Sequence, residues 1–327
     1  MPRPPEFRTC PATGRMVLIA PERAARPNDN SLSLATTAGH PEPRDCPFCP
    51  GNEHFSESEV FSTFRPNSKD WQLRVVPNRY PAVRIDCESA YGLHEVLIST
   101  PRPICSPVEL TSEEAIGMWR AVQSRFHSHA GNPRLLSTSF FQNMGAAAGA
   151  SLAHLHAQLI SLPMLPTHLR DELESAKERF RITGKCIYCE RPPAERIVLE
   201  TEHFLALCPY APRFEFEVWI LRKAHASQFE NASEVELKDF SAVVSAVQSA
   251  LNRVLEIFAF NSYLHSGPLR SEAIPSYHWH LEIAPRSAVL AGFELGSGIH
   301  VVAVPPEEAA SALRVAITRA APSDTNR

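Results

Sequence analysis

Apolar and polar residues alternate along several stretches of the chain, which predicts short β-strands. The clearest alternation lies at 154–160, where two histidines and a glutamine are separated by leucine or alanine. Because residues i, i+2 and i+4 of a strand share a face, His154, His156 and Gln158 are predicted to line one side of it. Further strands are predicted at 15–19, in two arms of 71–85, at 92–100, at 135–143 and around 203–207.

Three longer segments are predicted to be helical. The first begins at Thr111, an N-cap residue with Glu114 in the capping-box position, and extends to about Ala130. A charged amphipathic helix is predicted over 167–182, and another helix over about 232–257. Proline outnumbers glycine, 29 to 13, which favours extended segments bounded by turns elsewhere.

The same order of motifs occurs twice along the chain. Each half contains a Cys-x-x-Cys pair, two strands, a helix and a final strand with His-x-His. A matched order of this kind predicts a duplicated unit, whereas two unrelated zinc knuckles would not explain the matched histidine strands. We therefore predict an N-terminal repeat over 1–165 and a C-terminal repeat over 166–327, the latter ending its motif series at His278-x-His280.

Four of the eight cysteines form the two Cys-x-x-Cys pairs. The N-terminus does not look like an export signal, so zinc is favoured over disulfides. Aligning Glu95 with Glu217 places Pro103 opposite His225. The second half then offers a complete Cys2His2 set: Cys186, Cys189, His225 and His278.

The first half offers an incomplete set of metal ligands, namely Cys46, Cys49 and His154. Pro103 cannot bind a metal, and Cys105 lies two residues beyond it as a candidate substitute. Otherwise the first site is degenerate, or is completed by water or another side chain.

Composition excludes several classes of protein. The formal net charge is −4 and no basic block stands out, so neither nucleic acid nor a membrane surface is an expected partner. No apolar run approaches the length of a membrane span. We expect a cytoplasmic globular protein.

A segment with almost no side chains, 145–151, precedes the first histidine strand, and no such segment precedes the second. Backbone N–H groups of a loop like this can hold a phosphate. The pattern therefore predicts phosphate chemistry at His156. A His-x-His strand is also typical of a metal site or of two structural polar residues, and the strand alone does not decide among these.

Together these motifs resemble the galactose-1-phosphate uridylyltransferase branch of the histidine-triad superfamily, over nearly the whole chain. The resemblance implies an α+β fold of two repeats, each an antiparallel sheet with helices packed on one side, and it suggests a homodimer. It also implies nucleotidyl transfer through a covalent nucleotidyl-histidine at His156, with His154 as a metal ligand and with Gln158 and Ser151 contacting the phosphate. The implied substrate contacts are Arg23 and Arg26 for the diphosphate, Asn78 near the nucleoside, Asn143, Gly145 and Gly149 in the loop, and Glu294 for the sugar hydroxyls.

The leading hypothesis is uridylyl transfer between UDP-glucose and galactose 1-phosphate, in which one site serves two sugar phosphates in turn. An ADP-sugar phosphorylase, in which inorganic phosphate accepts the AMP, would share the mechanism. Arg79 after Asn78 and the residues after Gly298 depart from the family pattern, which bears on the sugar and the base. A non-catalytic, zinc-stabilised nucleotide-binding protein is the alternative of another class, and the intact His-Leu-His-Ala-Gln run argues against it.

Overall fold

The computed structural model describes residues 4–25, 44, 46–255, 259–287 and 289–319. Within them the strands are β1 Glu6–Thr9, β2 Met16–Ile19, β3 Phe61–Phe64, β4 Trp71–Pro77, β5 Leu93–Ile98, β6 Ser137–Met144, β7 His156–Leu162, β8 Ile197–Glu200, β9 Phe204–Leu207, β10 Val218–Arg222, β11 Phe260–His265, β12 His280–Pro285 and β13 His300–Val302. The α-helices are α1 Ser112–Ala130, α2 Thr167–Thr183, α3 Glu234–Leu255, α4 Gly292–Ser297 and α5 Pro306–Thr318.

Ten strands form one antiparallel sheet in the order β3-β4-β5-β7-β6-β11-β12-β10-β9-β8. Each half of the chain contributes five neighbouring strands, and the two sets run in corresponding order outward from the centre. β6 and β11 meet there, with Asn143 opposite Asn261. This arrangement confirms the predicted α+β fold of two repeats. The boundary at 165/166 stays a prediction, because the sheet continues from one half into the other.

A second, three-stranded sheet joins the two ends of the described chain. β1 pairs with β2 in antiparallel fashion, and β2 pairs with β13 in parallel. This sheet contributes Val17, Ile19 and Val302 to a buried cluster that also contains residues of α2.

The main hydrophobic core lies between the large sheet and the helices α1, α3 and α5. Aromatic rings from both halves meet in it: Trp119 of α1 lies 4.8 Å from Phe240 of α3, measured between ring centroids. In the C-terminal half, α2 packs on the opposite face of the sheet. In the N-terminal half, that opposite face carries Val76, Val96 and the first Cys-x-x-Cys knuckle instead. The two halves therefore cover this face of the sheet with different elements.

The structure differs from the sequence-based expectation after β4. No strand forms over 82–85, where the chain turns and the Ala82 N–H group donates to a nitrogen of the His94 ring (3.0 Å). The Ala82 N–H group is thus bonded to a side chain rather than to a neighbouring strand. Among the described residues, none of the helices has the length and apolar character needed to span a membrane.

Candidate active site and metal centres

His156 is the first residue of β7, where the chain emerges from the small-residue loop. It pairs with Ile98 of β5, and Gln158 pairs with Val96, so both side chains stand on the same face of the sheet. His154 precedes the strand, contrary to the alternation-based prediction. The backbone is diverted there because the Leu155 N–H group donates to the carbonyl of Ile104 (2.8 Å). The fully buried His154 side chain instead lies among the cysteines of the first knuckle.

The backbone determines which nitrogen of His156 carries the proton. Nδ1 lies 2.8 Å from the carbonyl oxygen of His154. Because a carbonyl can only accept, Nδ1 donates, and Nε2 keeps its lone pair. Burial lowers the pKa of His156 below its ordinary value, which keeps the ring neutral at pH 7. The ring of Phe48 packs against it with centroids 5.3 Å apart. The result is a neutral imidazole held in one orientation, with Nε2 unprotonated.

A cavity of about 360 Å³ opens at His156. Four of the residues implied by the family resemblance line it together: His156, Gln158, Ser151 and Asn78. Several further lining residues were not identified from the sequence, namely Pro47, Phe48, Phe55, Ser56, Val76, Pro77, Arg79, Tyr80, Val96 and Leu152. Most of these are apolar, which suits the planar base and ribose of a nucleotide.

Sequence reasoning also missed His94. His94 Nε2 lies 2.8 Å from Gln158 Oε1 and 3.0 Å from Asn78 Nδ2. The sequence did indicate that His94 and Val96 share one face of β5, because they alternate there as His156 and Gln158 do in β7. Whether that face of β5 lies on the same side of the sheet as His156 depends on the register of the two strands, which cannot be read from the sequence.

The small-residue loop uses two glycines in left-handed backbone conformations, with φ of 76° at Gly145 and 84° at Gly149. The N–H groups of Ala148 and Ala150 both donate to the Gly145 carbonyl. The Gly149 N–H group donates to the Ala146 carbonyl, so three backbone donors of the loop are bonded within it. The expectation that the loop presents its backbone donors to phosphate narrows to the remaining N–H groups and the Ser151 side chain, which faces the cavity.

The predicted loop residue Asn143 is tied to the other half of the chain. Asn261 of β11 donates its amide to Asn143 Oδ1 (2.7 Å) and to the Ala148 carbonyl (2.9 Å). Arg286 in turn donates to Asn261 Oδ1. The C-terminal half thus supports the loop next to His156.

Two of the other implied substrate residues, Arg23 and Glu294, are described by the structure and do not line the cavity at His156. Arg23 is exposed in a 3-10 turn at Pro21–Ala25, and it does not line the cavity. Glu294 lies in α4, where its carboxylate accepts the Ala291 N–H group (3.1 Å), and it does not line the cavity either. Arg26 lies outside the described residues.

The four residues of the second proposed metal set lie together in the structure. The ligand atoms of Cys186, Cys189, His225 and His278 lie within 4.8 Å of one another. Cys189 Sγ is 3.3 Å from His225 Nδ1 and 3.4 Å from His278 Nδ1. A tetrahedral zinc ion separates a bound sulfur and nitrogen by about 3.5 Å, so this spacing fits the ion. A hydrogen bond from Cys189 lowers the pKa of the Cys186 thiol to about 4, despite its burial.

The first metal set contains three ligands. Cys46 Sγ and Cys49 Sγ lie 3.4 Å and 3.5 Å from His154 Nδ1, and His154 Nε2 lies 3.0 Å from the Thr100 carbonyl. That carbonyl takes the Nε2 proton and leaves Nδ1 as a metal-binding atom. Cys105 is not a member of the cluster. Burial raises the pKa of Cys49 to about 12, so ionisation of both thiols requires a cation beside them.

A third cluster of metal-type ligands was not predicted: Glu172, His265, His280 and Glu282, with ligand atoms within 4.8 Å of one another. His265 and His280 are stacked 4.6 Å apart, and Arg213 donates to Glu282. Burial lowers the pKa of His265, but the negative charges of Glu172 and Glu282 outweigh this effect and raise it to about 10. The sequence gives little indication of this cluster, because Glu172 belongs to α2 and is brought beside β12 only when the chain folds.

Two family models match the chain. One, described as the N-terminal domain of galactose-1-phosphate uridyl transferase, matches residues 3–166, and another, described as a domain of unknown function (DUF4921), matches residues 107–322. The ADP-glucose phosphorylase of Arabidopsis thaliana is 31% identical, over 95% of this chain and 92% of its own length. A galactose-1-phosphate uridylyltransferase of Thermotoga maritima is 27% identical, over 94% of this chain and 98% of its own length.

Solved structures give the same grouping. A crystal structure of an ADP-glucose phosphorylase from Arabidopsis thaliana with bound ADP-glucose has a TM-score of 0.86 at 30% identity, covering 95% of this chain and 99% of that chain. A structure of a uridylyltransferase has a TM-score of 0.74 at 26% identity, covering 96% and 99%. By its paired motifs, its two-repeat sheet and these matches, the chain belongs to the galactose-1-phosphate uridylyltransferase family of nucleotidyl-transferring enzymes.

Proposed function

We propose that this protein cleaves a nucleoside diphospho-sugar through a covalent nucleotidyl intermediate on His156. The carrying observation is the orientation of the His156 ring: its Nδ1 proton is donated to the His154 carbonyl, and the ring lines the cavity. A neutral imidazole with an unprotonated Nε2 is a suitable nucleophile near pH 7.

The chemistry has two displacements at one phosphorus atom. His156 Nε2 attacks the α-phosphorus, an N–P bond forms, and the bond from phosphorus to the oxygen bridging to the β-phosphate breaks, releasing hexose 1-phosphate. An oxygen of a second phosphate then attacks the same phosphorus and displaces the imidazole. Gln158 and Ser151, which line the cavity beside His156, are the groups that stabilise charge on the phosphoryl oxygens during both steps.

Two sugar nucleotides are candidates for the donor. ADP-glucose, with inorganic phosphate as the acceptor, is supported by the 31% identity and the TM-score of 0.86 to the Arabidopsis proteins. UDP-glucose, with galactose 1-phosphate as the acceptor, is supported by the family model over 3–166 and by the Thermotoga relative.

The test is to expose the protein briefly to ADP-glucose alone and to UDP-glucose alone, and to measure released hexose 1-phosphate and protein-bound nucleotide. We expect one equivalent of each product from the preferred donor, and none with a His156→Gln variant. A His168→Asn variant is the control, because His168 is an exposed residue of α2. Full activity of His156→Gln would support the non-catalytic alternative for this site or another catalytic residue.

The metal proposed for the Cys2His2 set is zinc, which favours this combination of sulfur and nitrogen ligands in tetrahedral geometry. When bound, it would cross-link the second knuckle to the segment after β10 that carries His225 and to the segment before β12 that carries His278. In the first set, zinc held by Cys46, Cys49 and His154 would fix the knuckle whose Phe48 packs on His156. The nucleotidyl transfer itself uses only the chain's own side chains.

The proposal includes a homodimer, as the family resemblance suggests. Arg23 and Glu294 do not line the cavity of one chain, so a second copy is the proposed source of these contacts. Mixing an inactive His156→Gln variant with a Glu294→Ala variant should restore activity if two chains share a site. A monomer in solution, or the absence of restored activity after subunit exchange, would contradict this part of the proposal.

A further inference from the structure

His94 is a half-buried histidine that the proposed chemistry does not use. It lies in β5, two residues before Val96, which is the direct partner of Gln158 in β7. On its other side, the Asn78 N–H group donates to the His94 carbonyl (2.8 Å) at the end of β4. Its side chain therefore stands between two residues that line the cavity, on the same face of the sheet as His156.

The protonation of the His94 ring is determined by one backbone donor. The Ala82 N–H group points at Nδ1 with a nitrogen–nitrogen distance of 3.0 Å. A backbone N–H can only donate, so Nδ1 must accept, and the proton of the neutral ring must be on Nε2. The loop after β4 thus selects one tautomer of this histidine.

That tautomer determines how the Gln158 amide is turned. His94 Nε2 lies 2.8 Å from Gln158 Oε1, and a protonated Nε2 requires an oxygen there. The amide oxygen of Gln158 is therefore bound by His94, and the NH2 group is directed to the other side of the amide. The opposite tautomer would draw the NH2 group to His94 and turn a lone-pair-bearing oxygen toward an anionic phosphate.

Asn78 does not compete for the same proton. Its Oδ1 atom accepts the Tyr80 N–H group (2.9 Å), and the atom near His94 Nε2 is the amide nitrogen, at 3.0 Å. Two donors cannot bond to each other, so the Nε2 proton goes to Gln158. The Asn78 amide nitrogen, which has hydrogens of its own, lines the cavity with Gln158.

We propose that His94 is a positioning residue that holds the Gln158 amide with its NH2 group toward the phosphoryl oxygens, through the order Ala82 N–H, His94 ring, Gln158 oxygen. This inference rests on the proposed function of His156. It assigns His94 no contact with substrate. The step it supports is the transfer at phosphorus, because Gln158 is placed to stabilise charge there.

Two half-replacements of the imidazole separate its two hydrogen bonds. In His94→Gln the side-chain amide nitrogen takes the position of Nε2 and can donate to Gln158, while the acceptor for Ala82 is lost. In His94→Asn the side-chain oxygen takes the position of Nδ1 and can accept from Ala82, while the donor to Gln158 is lost. A His168→Asn variant serves as the matched surface control.

The measurement is the first-order rate of His156 nucleotidylation at saturating sugar nucleotide, with its half-saturating concentration. We expect His94→Asn to lower the rate roughly tenfold with little change in half-saturation, as loss of one oriented hydrogen bond predicts. His94→Gln should keep the rate within about threefold of wild type. If His94 only anchors the loop after β4, then His94→Gln is the poorer variant and half-saturation rises instead.

A double-mutant cycle makes the inference specific to Gln158. In a Gln158→Ala background, His94→Asn should have almost no further effect on the rate, because the group through which it acts is gone. Additive effects would overturn the proposal. Failure of the wild-type protein to form any adduct would instead overturn the proposed function, so the two failures are distinguishable.

Discussion

At the scale of single residues, hydrogen bonds to backbone groups decide the chemistry of two histidines in opposite ways. The His154 carbonyl takes the Nδ1 proton of His156 and leaves Nε2 available for attack. The Ala82 N–H group occupies Nδ1 of His94 and leaves Nε2 as a donor. Neither assignment can be made from residue identity, because the partner is a main-chain group brought close by the fold.

Gly149 tests the importance of the loop's shape. Its φ of 84° is unfavourable for any side chain, although a Cβ atom would meet no neighbour. We expect Gly149→Ala to cost roughly 1 kcal/mol of stability and also to slow nucleotidylation, since the backbone beside Ser151 must shift. The readouts are the free energy of unfolding in denaturant and the adduct rate.

Gly14 provides the matched control, because it has a similar φ of 71° and equally open surroundings in the turn before β2. Gly14→Ala should lower stability by a similar amount and leave the adduct rate unchanged. Equal loss of rate in both variants would show that the effect at Gly149 is one of general stability.

At the scale of elements, local sequence motifs correctly predicted the structures that local interactions stabilise. The Thr111–Glu114 capping box forms at the start of α1, with Thr111 N–H donating to Glu114 Oε2 (2.8 Å). The end of α1 at Ala130 also agrees with the predicted end at about that residue. No strand forms over 82–85, where the Ala82 N–H group donates to His94 and the Arg84 N–H group donates to the Ala90 carbonyl. Periodicity in the sequence cannot reveal these contacts.

Glu114 gives a prediction about pH. Burial raises the pKa of Glu114, but hydrogen bonds from Arg102, Thr100 and Thr111 outweigh this effect. The pKa is lowered from 4.5 to about 2. A carboxylate with a lowered folded-state pKa contributes stability that is complete above the unfolded value and is lost as the pH falls through the folded value. We expect Glu114→Gln to cost about 1–2 kcal/mol at neutral pH.

The check is denaturant unfolding of wild type and Glu114→Gln across the acid range. The difference in unfolding free energy should shrink between pH 4.5 and about 2, the interval set by the shifted pKa. A difference that stays constant through that interval would mean that the charge of Glu114 is not what stabilises the start of α1.

At the scale of the whole molecule, the duplication could be predicted from the sequence because both halves contain the same order of motifs. The central pairing of β6 with β11 and the corresponding strand order confirm it. The contacts that one half makes with the other could not be predicted from the sequence. The support that Asn261 gives to Asn143 and Ala148 depends on the register of that central pair, and the Glu172 cluster depends on where α2 packs.

Asn261 should therefore matter to a reaction in the other half. We expect Asn261→Ala to slow nucleotidylation of His156 about tenfold, since two hydrogen bonds that hold the loop are lost. The adduct rate is measured beside near-UV circular dichroism, which reports intact packing. An unchanged rate in a folded variant would show that the loop keeps its shape without the C-terminal half.

The two zinc-type sites should differ in their consequences. Cys46→Ser should remove one metal equivalent and slow nucleotidylation, because its knuckle carries Phe48 against His156. Cys189→Ser should also remove a metal equivalent and lower stability, but a folded fraction should retain the adduct rate, because its site does not line the cavity. Metal analysis, thermal unfolding and the adduct rate distinguish the two; the reverse pattern would contradict these assignments.

The most direct test of the account is peptide mapping by mass spectrometry after brief exposure of the full-length protein to ADP-glucose or UDP-glucose alone. The account predicts a nucleoside monophosphate bound to His156, formed with release of hexose 1-phosphate and removed when a phosphate acceptor is added. Turnover at the wild-type rate with no modified His156, or an adduct on a different residue, would contradict it.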